Sequence, residues 1–230
     1  MIQGNHILDQ QTRVVTKVES LEPLPIRKEW MNDLAQAVAF LESLNPAHGD
    51  LRPKNILLDC NRPKLSDFDS TAKIGANYEA YMAPYGTIIN SNEVDQGASE
   101  TSGFLSSQTE QFATGSLYYL INYGFEVYGD RCLTEDPYEY GPKVVDLLQS
   151  INFPELNGNI PIDNVIEKCW LNIYVTVSEL AMDTKQLLGE KLKRKEVTKW
   201  EIERNFCEKK KKFCQDLEKR GLLGLLSLGD

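Results

Sequence analysis

Between residues 26 and 44, apolar side chains recur at three- and four-residue steps: Ile26, Trp30, Leu34, Val38, Leu41 and Leu44. That spacing lines one face of an α-helix. Pro25 suits its first turn, where a missing amide costs nothing, and Asn45-Pro46 ends it. Upstream, residues 12–20 are rich in β-branched side chains and predict one strand, cut off by Pro23 and Pro25. Two short apolar runs follow at 56–58 and 64–66, joined by Asp59-Cys60-Asn61-Arg62-Pro63. They predict a β-hairpin with a polar, proline-containing turn.

Residues 70–108 are rich in Gly, Ser, Asn and Thr without periodicity and read as a long loop. A helical pattern returns over 108–123 (Phe112, Leu117, Leu120, Ile121), aromatic and weakly charged, so a buried helix is expected. Shorter helices are expected at 143–150, 162–170 and 175–188. A basic helix is expected from 190 to 220. No internal repeat is visible.

The chain has 230 residues, 41% of them hydrophobic and 26% charged, which fits one globular domain with an appendage. The net charge of −9 argues against nucleic acid as a partner for the whole surface. That charge is unevenly placed. Residues 190–220 carry +5, with four lysines in a row at 209–212, and the remainder carries −14. The basic segment reads as a solvated helix packing on an acidic body, the sharper alternative being contact with an anionic surface. Five scattered cysteines, without a CxxC pair and with only His6 and His48 as histidines, support neither a disulfide framework nor a zinc cage. The N-terminus has no apolar signal-type region. The longest apolar run, 222–228, is too short to span a bilayer. An intracellular protein, cytoplasmic or nuclear and without a transmembrane segment, is expected; its oligomeric state is left open.

Candidate chemistry concentrates in His48-Gly49-Asp50-Leu51-Arg52-Pro53-Lys54-Asn55 and Leu65-Ser66-Asp67-Phe68-Asp69. Asn55 enters the first strand of the predicted hairpin and Asp67 leaves the second. Residues flanking the open end of a hairpin are neighbours in space, so an amide oxygen and a carboxylate meet there. Few oxygen ligands with room for water and phosphate suit Mg²⁺. Asp50 lies on the loop feeding the same strand, and Arg52 adds a positive charge suited to phosphate oxygens. A proton acceptor, a cation and two metal ligands make a phosphoryl-transfer set.

At these residues the sequence resembles the protein-kinase catalytic loop H-R-D-L-K-P-x-N and the D-F-G motif. The resemblance implies Asp50 as catalytic base, Arg52 in place of the loop lysine, and Asn55 and Asp67 as the residues holding Mg²⁺ and ATP. It implies structural parts for His48, bonding backbone near Asp67, and for Glu110, where an aspartate normally holds the catalytic loop. Thr109-Glu110-Gln111-Phe112-Ala113-Thr114-Gly115 resembles the start of the large buried helix D-x-W-x-x-G, and Cys169-Trp170 the C-W pair that follows later. The combination of HGDLRP, SDFDS, TEQFATGS and FCQDLEKRGLL is similar to kinase-like proteins abundant in filamentous fungi.

The resemblance implies an α+β, mainly helical fold. It is that of a protein-kinase-like C-terminal lobe with a small β-hairpin, the N-terminal lobe being largely absent. Residues 1–25 would be a hinge or N-lobe remnant, 26–189 the lobe, and 190–230 a basic helical extension. Gly49 replaces the arginine that binds an activation-loop phosphate, so switching by loop phosphorylation is not expected. Asp69 replaces the glycine after Phe68. No A-P-E triplet, Gly-rich loop or V-A-I-K lysine is found. The implied activity is phosphoryl transfer from ATP to Ser/Thr of a protein substrate. Two alternatives stand beside it: a catalytically impaired, pseudokinase-type binding module, and a small-molecule phosphotransferase of the aminoglycoside or choline kinase kind. Tyr78, Tyr81 and Tyr85 read equally as packing or phosphorylation residues, and Trp30, Trp170 and Trp200 as core.

Overall fold

The computed structural model of the protein describes residues 6–59, 61–77, 84–86 and 104–189. The chain divides into two units, Met1–Leu187 and Leu188–Asp230, and the fold below is that of the first. The expected basic helix over 190–220, Trp200, Tyr78, Tyr81 and most of the expected loop over 70–108 lie outside the described residues.

Described elements run β1 (His6–Leu8), β2 (Val15–Val18), α1 (Leu24–Ser43), β3 (Pro46–Ala47), β4 (Ile56–Asp59), β5 (Arg62–Leu65), β6 (Ala72–Lys73), α2 (Ser107–Tyr123), α3 (Pro137–Gln149), α4 (Ile160–Trp170) and α5 (Val177–Gln186). A single 3₁₀ turn, Pro53–Asn55, precedes β4. The architecture is mixed α/β and mainly helical, compatible with a kinase C-terminal lobe. The strands form three separate two-stranded antiparallel ladders, β1–β2, β3–β6 and β4–β5.

The core is the set of apolar stripes that periodicity marks. Met31, Leu34 and Val38 of α1 meet Phe112, Leu117 and Tyr118 of α2, Ile162, Ile166 and Trp170 of α4, and Leu180 of α5. Trp170 is fully buried and stacks on Phe153, ring centroids 4.9 Å apart. The α2–α4 crossing depends on Gly115, where a Cβ would stand 2.6 Å from Cβ of Cys169. Ser106 caps α2 in a box with Thr109, and Gly124, at φ 82°, closes its far end. Glu42, at the end of α1, accepts the Val177 amide at 3.0 Å, so a carboxylate sits at the positive end of α5.

Three differences from the sequence reading have local causes. The strand expected over 12–20 has a partner, β1, turned back through Asp9, whose Oδ1 accepts the Gln11 and Thr12 amides and the Thr12 hydroxyl. The hairpin turn is shorter than expected. Leu58 pairs with Pro63 and Asp59 with Arg62, so Arg62 and Pro63 belong to the ladder, and Asn61 before them is in the left-handed region. Proline is tolerated because a two-stranded ladder leaves every second amide without a partner strand. Helix α3 starts at Pro137, not 143. Asp136 caps it through the Tyr138 amide at 3.0 Å, and Pro142 sits inside it.

Candidate active site

Residues 48–55 run from the end of β3 to the start of β4, so two ladders hold the segment at its ends. Its first two residues are also tied to α2. Glu110, in the first turn of α2, accepts the His48 amide at 2.8 Å through Oε2 and the Gly49 amide at 3.1 Å through Oε1. Burial raises the Glu110 carboxyl to about 7; the two amides oppose the shift and the carboxylate of Glu42 adds to it. His48 is fully buried. Its Nδ1 accepts the Asp50 amide at 3.3 Å, so Nε2 carries the proton and donates to the Ser66 carbonyl at 3.1 Å. Burial lowers the imidazole pKa, against the Ser66 carbonyl and the charges of Asp50 and Asp67. One ring thus ties the segment bearing Asp50 to the segment bearing Asp67.

Asp50 is 6% exposed and its carboxylate is oriented from two sides. The Asn55 side-chain nitrogen donates to Oδ2 of Asp50 at 2.8 Å and to the Asp50 backbone carbonyl at 2.8 Å. Nη2 of Arg52 approaches the same Oδ2 at 2.8 Å. The three residues therefore form one cluster, and both ties fall on Oδ2. The 3₁₀ turn makes this possible, because it folds Asn55 back over the five residues that separate it from Asp50.

Asp67 lies just after β5 and is exposed. The amide and hydroxyl of Ser66 both donate to the Asn55 carbonyl at 3.0 Å, which brings the two segments together at the open end of the hairpin. Asp67 adopts φ 61°, a conformation few non-glycine residues hold without support. Phe68 packs against the His48 ring with centroids 5.2 Å apart. Asp69 is exposed.

Gly49 has a steric reason to be glycine. Its φ is 76°, and a Cβ there would lie 2.7 Å from the backbone oxygen of Ser70. An arginine would require the chain after Asp67 to move. The start and end of the long 70–108 segment are also pinned: β6 pairs with β3, and Gly75 and Leu105 are joined by an amide–carbonyl bond of 2.8 Å.

Sequence reading missed a buried pair, Tyr85 and Glu126. The Tyr85 hydroxyl donates to Oε1 of Glu126 at 2.7 Å, while Oε2 accepts the Val15 amide at 2.8 Å. Burial raises both groups, Tyr85 strongly. The signal was present in the chain: Ala83-Pro84 are two of the three residues of A-P-E, with Tyr85 in the place of the acid. As a buried residue, Tyr85 belongs to the packing alternative. Trp30 and Trp170 are likewise core.

The donor set fits a hard cation such as Mg²⁺. Two acceptors fix the Asn55 amide nitrogen toward Asp50, so the oxygen is the atom left for a metal. Asp67 supplies an exposed carboxylate nearby, and oxygen ligands in small number are what Mg²⁺ takes. Among the described residues no helix is long and apolar enough to cross a membrane.

No family profile matches the chain. It is similar to CBL-interacting serine/threonine-protein kinase 20 of Arabidopsis thaliana, 25% identical over 168 residues, which is 63% of this chain and 36% of the relative. It is similar to serine/threonine-protein kinase MRCK gamma of Homo sapiens, 25% identical over 146 residues, 58% of this chain and 9% of the relative. CBL-interacting protein kinase 10 of Oryza sativa subsp. japonica is 24% identical over 171 residues, 64% of this chain and 35% of the relative. The chain thus spans about a third of the plant relatives and under a tenth of the human one. These partial matches support a kinase-like relationship.

Proposed function

We propose that residues 26–189 are a protein-kinase-like C-terminal lobe whose chemistry is phosphoryl transfer from Mg²⁺-bound ATP to a Ser/Thr hydroxyl of a protein substrate. The observation that carries this reading is the Asp50 carboxylate, held at Oδ2 by Asn55 and Arg52 and tied through His48 to the segment bearing Asp67.

In this reading Asp50 orients the acceptor hydroxyl and takes its proton at the carboxylate. The two donors on Oδ2 set the plane of that carboxylate, so it is aimed before substrate arrives, which is where most of the advantage of an oriented base lies. Asn55, through its side-chain oxygen, and Asp67 would hold Mg²⁺. Arg52 keeps a positive charge at the centre, offsetting the negative charge that phosphate and two carboxylates bring together. Bound Mg²⁺-ATP supplies the phosphoryl group and neutralises charge on its oxygens. Glu110 and His48 keep the loop in shape without touching the reacting atoms.

Radiolabel transfer from Mg²⁺-ATP tests the reading, with a panel of protein acceptors set against a panel of small aminoglycoside and choline-type acceptors. Label on Ser/Thr of a protein, lost in Asp50→Asn, is the expected result. Label on small acceptors alone would move the assignment to the small-molecule class. No transfer by a folded chain would leave a binding module.

A further inference from the structure

The hairpin β4–β5 carries the proposed metal ligands at its open end, Asn55 just before β4 and Asp67 just after β5. It is a ladder of two strands, with no wider sheet to fix its tilt. Such a hairpin takes its orientation from what it packs on. Here that is α1. Ile56 is buried in the core that α1 lines, and Leu58 and Leu65 pack against it.

The closed end is held by polar ties to the same helix. The indole Nε1 of Trp30 donates to the Asn61 carbonyl at 2.8 Å. Three residues further along α1, the Asp33 carboxylate meets the Arg62 guanidinium in a fork, Nε to Oδ2 and Nη2 to Oδ1. Both side chains are mostly buried, Asp33 9% and Arg62 17% exposed. A fork of this kind fixes direction as well as distance. Helix α1 thereby reaches both halves of the site. Its end runs through β3 into the segment bearing Asp50, and its middle grips the turn of the hairpin bearing Asn55 and Asp67.

The lever is long enough to matter. At about 3.3 Å per residue the four-residue ladder sets its open end about 13 Å from the pair, so a tilt of about 5° displaces that end by about 1 Å. Two bonds there would feel it: Asn55 to Oδ2 of Asp50 at 2.8 Å, and Nε2 of His48 to the Ser66 carbonyl at 3.1 Å. A shift of about 1 Å costs aligned reactants about 10²-fold. We propose that Asp33 and Arg62 are positioning residues that set the tilt of the hairpin and so place Asn55 and Asp67 for the metal. The proposal rests on the reading of those two residues as metal ligands.

The full chain and its Arg62→Lys and Asp33→Asn variants are titrated with Mn²⁺ in the presence of ATP, free Mn²⁺ being read by electron paramagnetic resonance. Exchange of the Ser66 amide, which donates to the Asn55 carbonyl at 3.0 Å, is followed by NMR without metal. Arg62→Lys keeps the charge and loses the fork, whereas Asp33→Asn keeps the shape and loses the charge. Both are expected to weaken Mn²⁺–ATP uptake about 10–100-fold, the usual cost of freeing a metal ligand from its support. Ser66 exchange is expected to rise relative to the amides of α2. Lys168→Met, which breaks an ion pair between α4 and α5, is the control for lost stability and is expected to change neither readout. Unchanged affinity or unchanged relative Ser66 exchange in both variants, or equal shifts in Lys168→Met, would overturn the proposal. Wild type that takes up no Mn²⁺–ATP would instead overturn the reading of Asn55 and Asp67 on which it rests.

Discussion

Asn55 and Asp50, five residues apart, are joined twice: one side-chain nitrogen donates to the Asp50 carbonyl and to its Oδ2, each at 2.8 Å. The first bond shapes the loop and the second aims the carboxylate. Removing Asn55 therefore loosens the residue proposed as base as well as deleting a proposed metal ligand.

Asp50→Asn is expected to lower phosphoryl-transfer turnover by roughly 10²–10⁴-fold, the usual worth of an oriented acid or base. Asn55→Ala should fall in the same range and should also raise the Mg²⁺ concentration needed for half-maximal rate. Steady-state rates across a Mg²⁺ titration separate the two. Equal Mg²⁺ dependence in wild type and Asn55→Ala would remove Asn55 from the metal site.

Glu110 predicts a pH dependence of stability with a definite sign. Its carboxyl rises from 4.5 to about 7 on folding, chiefly through burial. Between those values the folded protein holds a proton that the unfolded chain releases. Stability therefore falls as pH rises from about 4.5 to about 7 and levels above it, by on the order of 3 kcal/mol. Urea denaturation across that range should show the slope, and Glu110→Gln should abolish this contribution. Ionised Glu110 is the better acceptor for the His48 and Gly49 amides, so transfer rates should change the other way and rise toward neutral pH.

Gly49→Ala places a methyl 2.7 Å from the Ser70 carbonyl oxygen at a positive φ. A loss of about 1–3 kcal/mol is expected from strain and displacement. Denaturant midpoints measure it. A neutral substitution would mean that the 70–76 segment yields easily.

Gly115→Ala tests the helix crossing. The added carbon would meet Cβ of Cys169 at 2.6 Å in a fully packed layer. About 1–3 kcal/mol of destabilisation is expected from overpacking, despite the better helix propensity of alanine. The double variant Gly115→Ala, Cys169→Gly should recover part of it, read as non-additivity in denaturation.

Local chemistry made much of this protein legible. The stripe from Trp30 to Val38 is a helix because it has a core to cover. Pro25 and Asn45-Pro46 bracket it to within two residues of the observed bounds, Leu24–Ser43. The hairpin was visible from two apolar runs and a polar break. The candidate centre at 48–69 could be picked out because its proposed chemistry depends on residue types at short spacing. Contacts between distant segments were not legible. Nothing near Ala72 announces pairing with Ala47, since two-residue strands carry no alternation. Nothing near Glu126 announces Tyr85 or Val15, because a buried carboxylate is defined by its partners and they lie 41 and 111 residues away.

Composition reports an excess of negative charge, spread along the chain, whereas only the tertiary fold sets Asp9 across from Asp130 and Glu135 on the walls of one cavity. Sequence by itself determined which short segments become helix and hairpin and which residue types sit at the candidate centre, because these follow from nearest-neighbour sterics and burial of an apolar face. Tertiary structure decided which oxygen of Asp50 is occupied, why residue 49 is glycine and where a cavity remains, because these depend on how close segments far apart in the chain can approach.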